Sequence, residues 1–297
     1  MPKFIISVDS CADLFGSYLK ENNVHCIVLK RITNGTVTEE LFDSYAEYEN
    51  FYESIRKGAL PTTSALNPAE LFEHFGRIFD SEPEGDIIHI SLASALSVTF
   101  DNAVSAADEI NRSPHGRKVH VFDSLSASLG IAMQTDMLIE MRDAGLSGQE
   151  ALKNLENFRK RQRLYALVDN LFHLKRGGRL SGSKAAIGSI LKIKPVLVVN
   201  EKGGLTIEKT VRGTAKGIEY ILDKMPQTEK HAAATTEKIV YIAHSSAKDI
   251  FAELKKALTQ RFGDITIKES MVGPIIGTHV GAGTVAVAFE GEEGPDI

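Results

Sequence analysis

The sequence predicts an α/β protein built on a parallel sheet, and three observations lead there. Short apolar runs alternate with helical patterns of about ten or more residues along most of the chain, the mark of βαβ units. Three of those runs end in small polar residues: Asp9-Ser10, Ser91 with Ser94, and Asp123-Ser124. In open α/β sheets such carboxyl ends of strands form the ligand crevice. The 297 residues, 43% hydrophobic and 25% charged, suffice for two domains, or one large one, with a full core.

Taken in order, Lys3–Val8 reads as a strand, Ala12 to Glu21 as a helix and Val24–Leu29 as a second strand. Thr33-Asn34-Gly35-Thr36 reads as a turn and Tyr45 to Arg56 as a helix. Pro61-Thr62-Thr63-Ser64 reads as a polar loop before the helix Pro68–Phe79, where Asn67 is an N-cap and Pro68 suits the first turn. Asp86–Ile90 and Lys118–Phe122 are strands, each followed by a helix, and a charged amphipathic helix spans Gln149 to Arg163. After a strand at Leu164–Val168, Pro195–Asn200 and Leu205–Glu208 flank Glu201-Lys202-Gly203-Gly204 as a hairpin. Helices at Thr214–Lys224 and Lys248–Phe262 and strands at Ile239–Ala243 and Ile265–Lys268 complete the pattern. Each strand-end Asp or Ser is by itself a natural helix cap. Three of them, with the Thr62-Thr63-Ser64 loop, predict a polar crevice.

Composition narrows the function. A net charge of −5 argues against the broad basic face of a nucleic-acid binder. Cys11 and Cys26 match neither a disulfide framework nor a metal spacing, and no HExxH, CxxC or histidine cluster suggests a metal. The N-terminus reads directly as a strand, and no apolar run approaches the ~20 residues of a membrane span. A soluble cytoplasmic protein is expected.

One stretch departs from the acidic background. No Asp or Glu occurs between Asp169 and Glu201, while Lys175, Arg176, Arg179, Lys184, Lys192 and Lys194 all do. Within it, Gly177-Gly178 sits between two arginines, and a helix-like apolar segment follows. Gly177-x4-Gly182 with Ser183-Lys184 is a near miss to a P-loop, whose order is Gly-Lys-Ser/Thr so that lysine lies over the phosphates. No G-x-S-x-G elbow is present. A Ser–His pair assembled across the fold stays open on these grounds. Among nine histidines, His279 alone sits in a glycine-rich setting.

Together these stretches resemble the DegV family of fatty-acid-binding proteins, similar to the binding subunit of bacterial fatty acid kinase. Val8-Asp9-Ser10 with Asp13-Leu14 resembles DS-x-x-DL, and Thr63-Ser64 with Pro68 resembles TSQPSP. Ser91 to Phe100 resembles SLSSGLSGTY, and Asp123-Ser124 with Ala127-Ser128 resembles DS-x-x-AS. Leu174 to Pro195 resembles LKKGGRISGAAALIGNLLNIKP, Val211-Arg212-Gly213 the KVRG after it, and Gly277 to Gly281 the GTHVG of the C-terminal motif.

The resemblance implies an N-terminal three-layer α/β/α domain with a parallel sheet over residues 1–163, and a C-terminal α/β domain with a mixed sheet over 164–297. N-terminal segments are allowed to pack across that boundary. It implies a long-chain fatty acid between the domains, no other cofactor, and no catalysis by the chain itself. A partner ATP-dependent fatty acid kinase would convert the presented carboxylate to an acyl phosphate. Residue by residue, Thr63, Ser94 and His279 fall on the carboxylate-binding positions. Ser97, Arg176, Arg179, Arg212 and Thr278 become head-group or partner contacts. Ile187, Ile190, Leu191 and Ile193, on the helix expected after the glycine pair, become acyl-tunnel wall. Ala65-Leu66, Ala93, Ala95, Val98 and Phe100 depart from the family pattern, which bears on acyl-chain preference. The alternative is a serine-dependent hydrolase or a phosphotransfer enzyme acting alone.

Overall fold

The structure, a computed structural model, describes residues 4–112, 116–169, 171–180, 193–226 and 239–292. The first half of the chain runs β1 (Phe4–Asp9), a 3₁₀ turn (Ser10–Ala12), α1 (Gly16–Glu21), β2 (Val24–Ile27), β3 (Lys30–Thr33), β4 (Thr36–Thr38) and α2 (Tyr45–Arg56). It continues with β5 (Thr62–Ser64), α3 (Pro68–Ser81), β6 (Asp86–Ser91), α4 (Thr99–Asn111), β7 (Val119–Asp123), α5 (Leu129–Asp143) and α6 (Gly148–Arg161). The second half runs β8 (Gln162–Leu167), α7 (Phe172–Gly177), β9 (Ile193–Val199), β10 (Leu205–Arg212), α8 (Thr214–Asp223), β11 (Ile239–His244), α9 (Lys248–Phe262), β12 (Thr266–Met271), α10 (Pro274–Val280) and β13 (Val285–Glu290).

Strands β2-β1-β6-β7 form a parallel sheet, as the strand–helix alternation predicts. Ser7 and His89 face α3, while Phe4 and Ile88 face α6, so helices cover both sides. The second sheet, β10-β9-β8-β13-β11-β12, is mixed, with one parallel pair at β11 and β12. Its strands alternate with period two. Tyr165, Leu167, Val285 and Val287 pack under α8 and α9, and Leu164, Ala166, Ala286 and Ala288 turn to the other face. Between the sheets lies α5, which packs on both and buries eleven of its fifteen residues. A helix with apolar residues all round belongs in a core.

Three local expectations change. The helix expected from Ala12 breaks, because Asp13 adopts a left-handed φ of 53° and α1 begins only at Gly16. The Thr62–Ser64 segment is a strand rather than a loop. It pairs with β3 in a small antiparallel sheet, β4-β3-β5, that brings Thr63 opposite Arg31. A three-residue polar strand has no periodicity to read, and its partner lies 32 positions away in the Arg31–Thr63 pairing. Finally, Ile193 opens β9 instead of lying on a helix after the glycine pair. Ile187, Ile190 and Leu191 lie outside the described residues.

The strand-end carboxylates are capping groups. Asp9 accepts from the N–H of Cys11 at 2.9 Å and of Leu92 at 2.7 Å, tying the ends of β1 and β6. Asp123 accepts from Leu125 N–H at 2.9 Å and from Ser94. The crevice above these strand ends is therefore far less polar than the sequence suggests.

Candidate functional site

Above those strand ends, between the two sheets, lies a cavity of about 950 Å³ counted with its open mouth. Its wall is predominantly apolar: Leu29, Leu92 and Ala127 come from the first half, Ala166, Leu197 and Ala286 from the second. Ala166 and Ala286 stand on strand faces where a larger side chain would fill the space. Leu92 and Ala127 fall in motifs quoted above; no motif marks Leu29, Ala166, Leu197 or Ala286, although alanines at alternate positions of β13 are a signal once the sheet face is known.

Polar groups gather at one part of the wall. Thr63 on β5 and His279 on α10 meet through Thr63 Oγ1 and His279 Nε2 at 2.9 Å. His279 is held in the last turn of a helix that starts at Pro274 and ends at Gly281, whose φ is 74°. Burial pushes its pKa down to about 4, and the guanidiniums of Arg179 and Arg176, with the neighbouring His173, push the same way. The imidazole is neutral at pH 7. Its Nδ1 is buried without a hydrogen-bond partner among the described residues.

The glycine pair has two separate structural reasons. A Cβ on Gly177 would overlap His279 Nδ1, so only glycine lets α7 lie against the imidazole. Gly178, with φ of 67°, ends α7 in the left-handed region that glycine enters without strain. Flanking them, Arg176 donates to Pro61 O at 2.6 Å, and Arg179 donates through Nε to Leu96 O at 3.3 Å and through Nη1 to Gly177 O. Both guanidiniums bond backbone carbonyls, and neither forms an ion pair among the described residues. Arg179 also lines the cavity.

The other sequence-predicted residues disperse. Ser97 lines the cavity, with its hydroxyl donating to Thr99 Oγ1 at 2.9 Å. Ser94 is exposed outside the lining, and its hydroxyl donates to Asp123 at 2.6 Å. Thr278 is buried, back-bonding to Pro274 O at 2.8 Å. Arg212 ends β10 exposed, opposite Ile193, and neither lines the cavity. A serine bonded to histidines does exist: Ser7 lies 2.9 Å from both His74 and His89, but fully buried in the core beneath α3. Among the described residues no cluster of three His, Cys, Asp or Glu could hold a metal, and no helix is long and apolar enough to cross a membrane.

Comparison with known proteins agrees with this architecture. Residues 3–292 match a family model described as "Uncharacterised protein, DegV family". A DegV domain-containing protein of Clostridium perfringens is 31% identical, covering 98% of this chain and 99% of that protein. Among solved structures, a DegV lipid-binding protein from Thermotoga maritima superimposes with a TM-score of 0.84 at 28% identity, covering 98% of this chain and 99% of the other. A fatty-acid-binding DegV family protein from Thermus thermophilus gives 0.83 at 27%, over 98% and 100%. DegV of Bacillus subtilis, described as a fatty acid binding protein, gives 0.79 at 26%, again over 98% and 100%.

Proposed function

The chain belongs to the DegV family, and from that membership we propose that its cavity takes one long-chain fatty acid and presents the carboxylate to a separate ATP-dependent kinase. The observation that carries this reading is the pairing of an apolar cavity with a neutral His279–Thr63 hydrogen bond and two guanidiniums free of ion pairs among the described residues. Burying a carboxylate costs several kcal/mol unless charge-assisted hydrogen bonds replace its water. With Nε2–H of His279 donating to Thr63 Oγ1, the threonine hydroxyl is free to donate to the ligand carboxylate, and Arg179 at the wall supplies the opposite charge. The acyl tail lies along Leu29, Leu92, Ala166 and Leu197, where each buried CH₂ contributes about 0.8 kcal/mol.

In the transfer step, a carboxylate oxygen attacks the γ-phosphorus of ATP on the partner. ADP leaves, and an acyl phosphate remains on this chain. Positioning groups and metal ions for that step belong to the kinase. Ser94 and Ser97, in the turn bridged by Arg179, stand where the presented head group would pass to the partner, and exposed Arg212 suits docking of its acidic surface. This role places the protein in the cytoplasm, beside the kinase.

The test is a saturation measurement with a fluorescent long-chain fatty acid on the purified chain and on a Thr63→Val, Ser94→Ala, His279→Gln triple variant. Saturable binding that the variant loses is expected, and normal affinity in the variant overturns the site. Turnover of ester or phosphate substrates by the chain alone would favour an enzyme acting unaided.

A further inference from the structure

Asp13 is a buried carboxyl that neither the fold nor the proposed binding uses. It closes the turn after β1 in a left-handed conformation and is 3% exposed. Neither of its side-chain oxygens has a hydrogen-bond partner among the described residues. Ser128 Oγ and the Gly273 N–H approach it without completing one, and the Ser128 hydroxyl is itself unpartnered. Ser128 also holds an unusual backbone, φ 53° and ψ −125°. Such strain persists only where surroundings enforce it.

The position is a joint. Gly273 lies so close to Asp13 Oδ1 that a Cβ would overlap it, and the next residue starts α10, which carries His279. Ser270 donates to Asp13 O at 2.6 Å, and Tyr52 donates to Val272 O at 2.6 Å. Ser128, Val272 and Ile275 all line the cavity. Asp13 thus sits where the first half of the chain seats the helix of the head-group site.

We propose that Asp13 is a positioning residue that works as a proton-dependent latch. Carrying its proton, it holds the Gly273 turn and α10 closed over the cavity. Losing the proton to water favours an opened joint through which ligand exchanges. This rests on the fatty-acid reading above and adds regulation to it.

The electrostatic surroundings favour the protonated form. Burial pushes the Asp13 pKa up to about 8 against the downward pull of the Ser128 hydroxyl and the Gly273 N–H, and Asp9 adds a smaller like-charge repulsion. Asp9 is also raised by burial, with the hydrogen bonds from Leu92, Cys11 and Ser91 pulling the other way. Cys11 on the same turn and Tyr48 and Tyr52 on α2 are all pushed upward by burial. Glu40 faces the joint across a small pocket and leans toward Arg31 at 3.9 Å. In the open state Asp13 meets water and regains its ordinary acidity near ~3.9. Opening therefore becomes more favourable as pH rises from about 4 to about 8, and is pH-independent above.

The experiment follows release of cis-parinaric acid from the full chain into excess oleate, at pH 6 to 9. The wild-type rate is expected to rise by up to about tenfold per pH unit until about pH 8 and then level, while Asp13→Asn releases at one rate throughout. A flat wild-type profile below pH 8, or a slope retained in Asp13→Asn, overturns the latch. Amide hydrogen exchange of residues 271–280 in ligand-free wild type, corrected for intrinsic exchange, needs neither variant nor ligand. An opening free energy there that does not change from pH 6 to 8 also overturns it. If cis-parinaric acid binds at no pH, the fatty-acid reading fails, and the exchange profile alone then decides the latch.

Discussion

Thr63 and His279 are separated by 216 positions and joined by one hydrogen bond. Thr63→Val keeps the shape and removes the hydroxyl. A hydrogen bond to a charged group contributes ~1.5–3 kcal/mol, so fatty-acid affinity is expected to fall about ten- to hundredfold in a displacement titration, with thermal stability little changed. Gly177→Ala drives a methyl into the imidazole and should lower affinity as much, although position 177 does not line the cavity. An unchanged titration for it would mean that α7 yields. That both residues belong to one cavity wall was legible in the sequence only because each sits in a motif with an ordered set of neighbours. The reason for Gly177 was not, since it depends on a side chain about a hundred residues away. The Ser94 hydroxyl was legible as a hydroxyl, while its bond to Asp123 becomes visible only when the ends of β6 and β7 lie side by side.

Among elements, those with strong local signals were legible nearly to the residue. Helix α2 spans Tyr45–Arg56 as its pattern predicts, and α3 starts at Pro68 behind Asn67, whose side chain accepts from Glu70 N–H in a full capping box. Asn67→Ala is expected to cost ~1 kcal/mol in urea unfolding without altering ligand affinity. Strand β5 was not legible, because its partner is nonlocal and its residues are polar. The faces of β8 and β13 alternate visibly, but which face meets the cavity follows from where α5 lies. Ala286→Leu projects a larger side chain into that cavity from β13. It should lower fatty-acid affinity more than tenfold while leaving the melting temperature equal or higher, because filling a void stabilises a fold. A variant that bound normally would show that the tail runs elsewhere.

At the scale of the molecule, two sheets share α5, and polar contacts cross between them. Acid should weaken the assembly through its buried histidines. Burial pushes His74 down to about 4 and His89 to about 3, whereas both return to about 6.5 when unfolded. The unfolded chain binds more protons in that interval, so stability present above pH 6.5 is lost as pH falls toward 3–4. The slope approaches 1.4 kcal/mol per pH unit for each proton taken up. Chemical denaturation from pH 7 to 4 reads it, and His89→Gln should flatten the profile. The parallel sheet and the mixed one were legible as alternation and as a glycine-turned hairpin. The cavity's place was legible from the strand ends, but its apolar character only through resemblance, because its wall is assembled from small and apolar residues scattered over both halves.

The central claim is that this cavity holds a fatty acid. The most direct measurement is native mass spectrometry of the freshly purified chain, followed by lipid extraction. One long-chain fatty acid per protein molecule, displaced by added oleate and missing from the Thr63→Val, Ser94→Ala, His279→Gln variant, is the predicted result. A chain that carries no lipid, binds no added oleate and still unfolds cooperatively would contradict it.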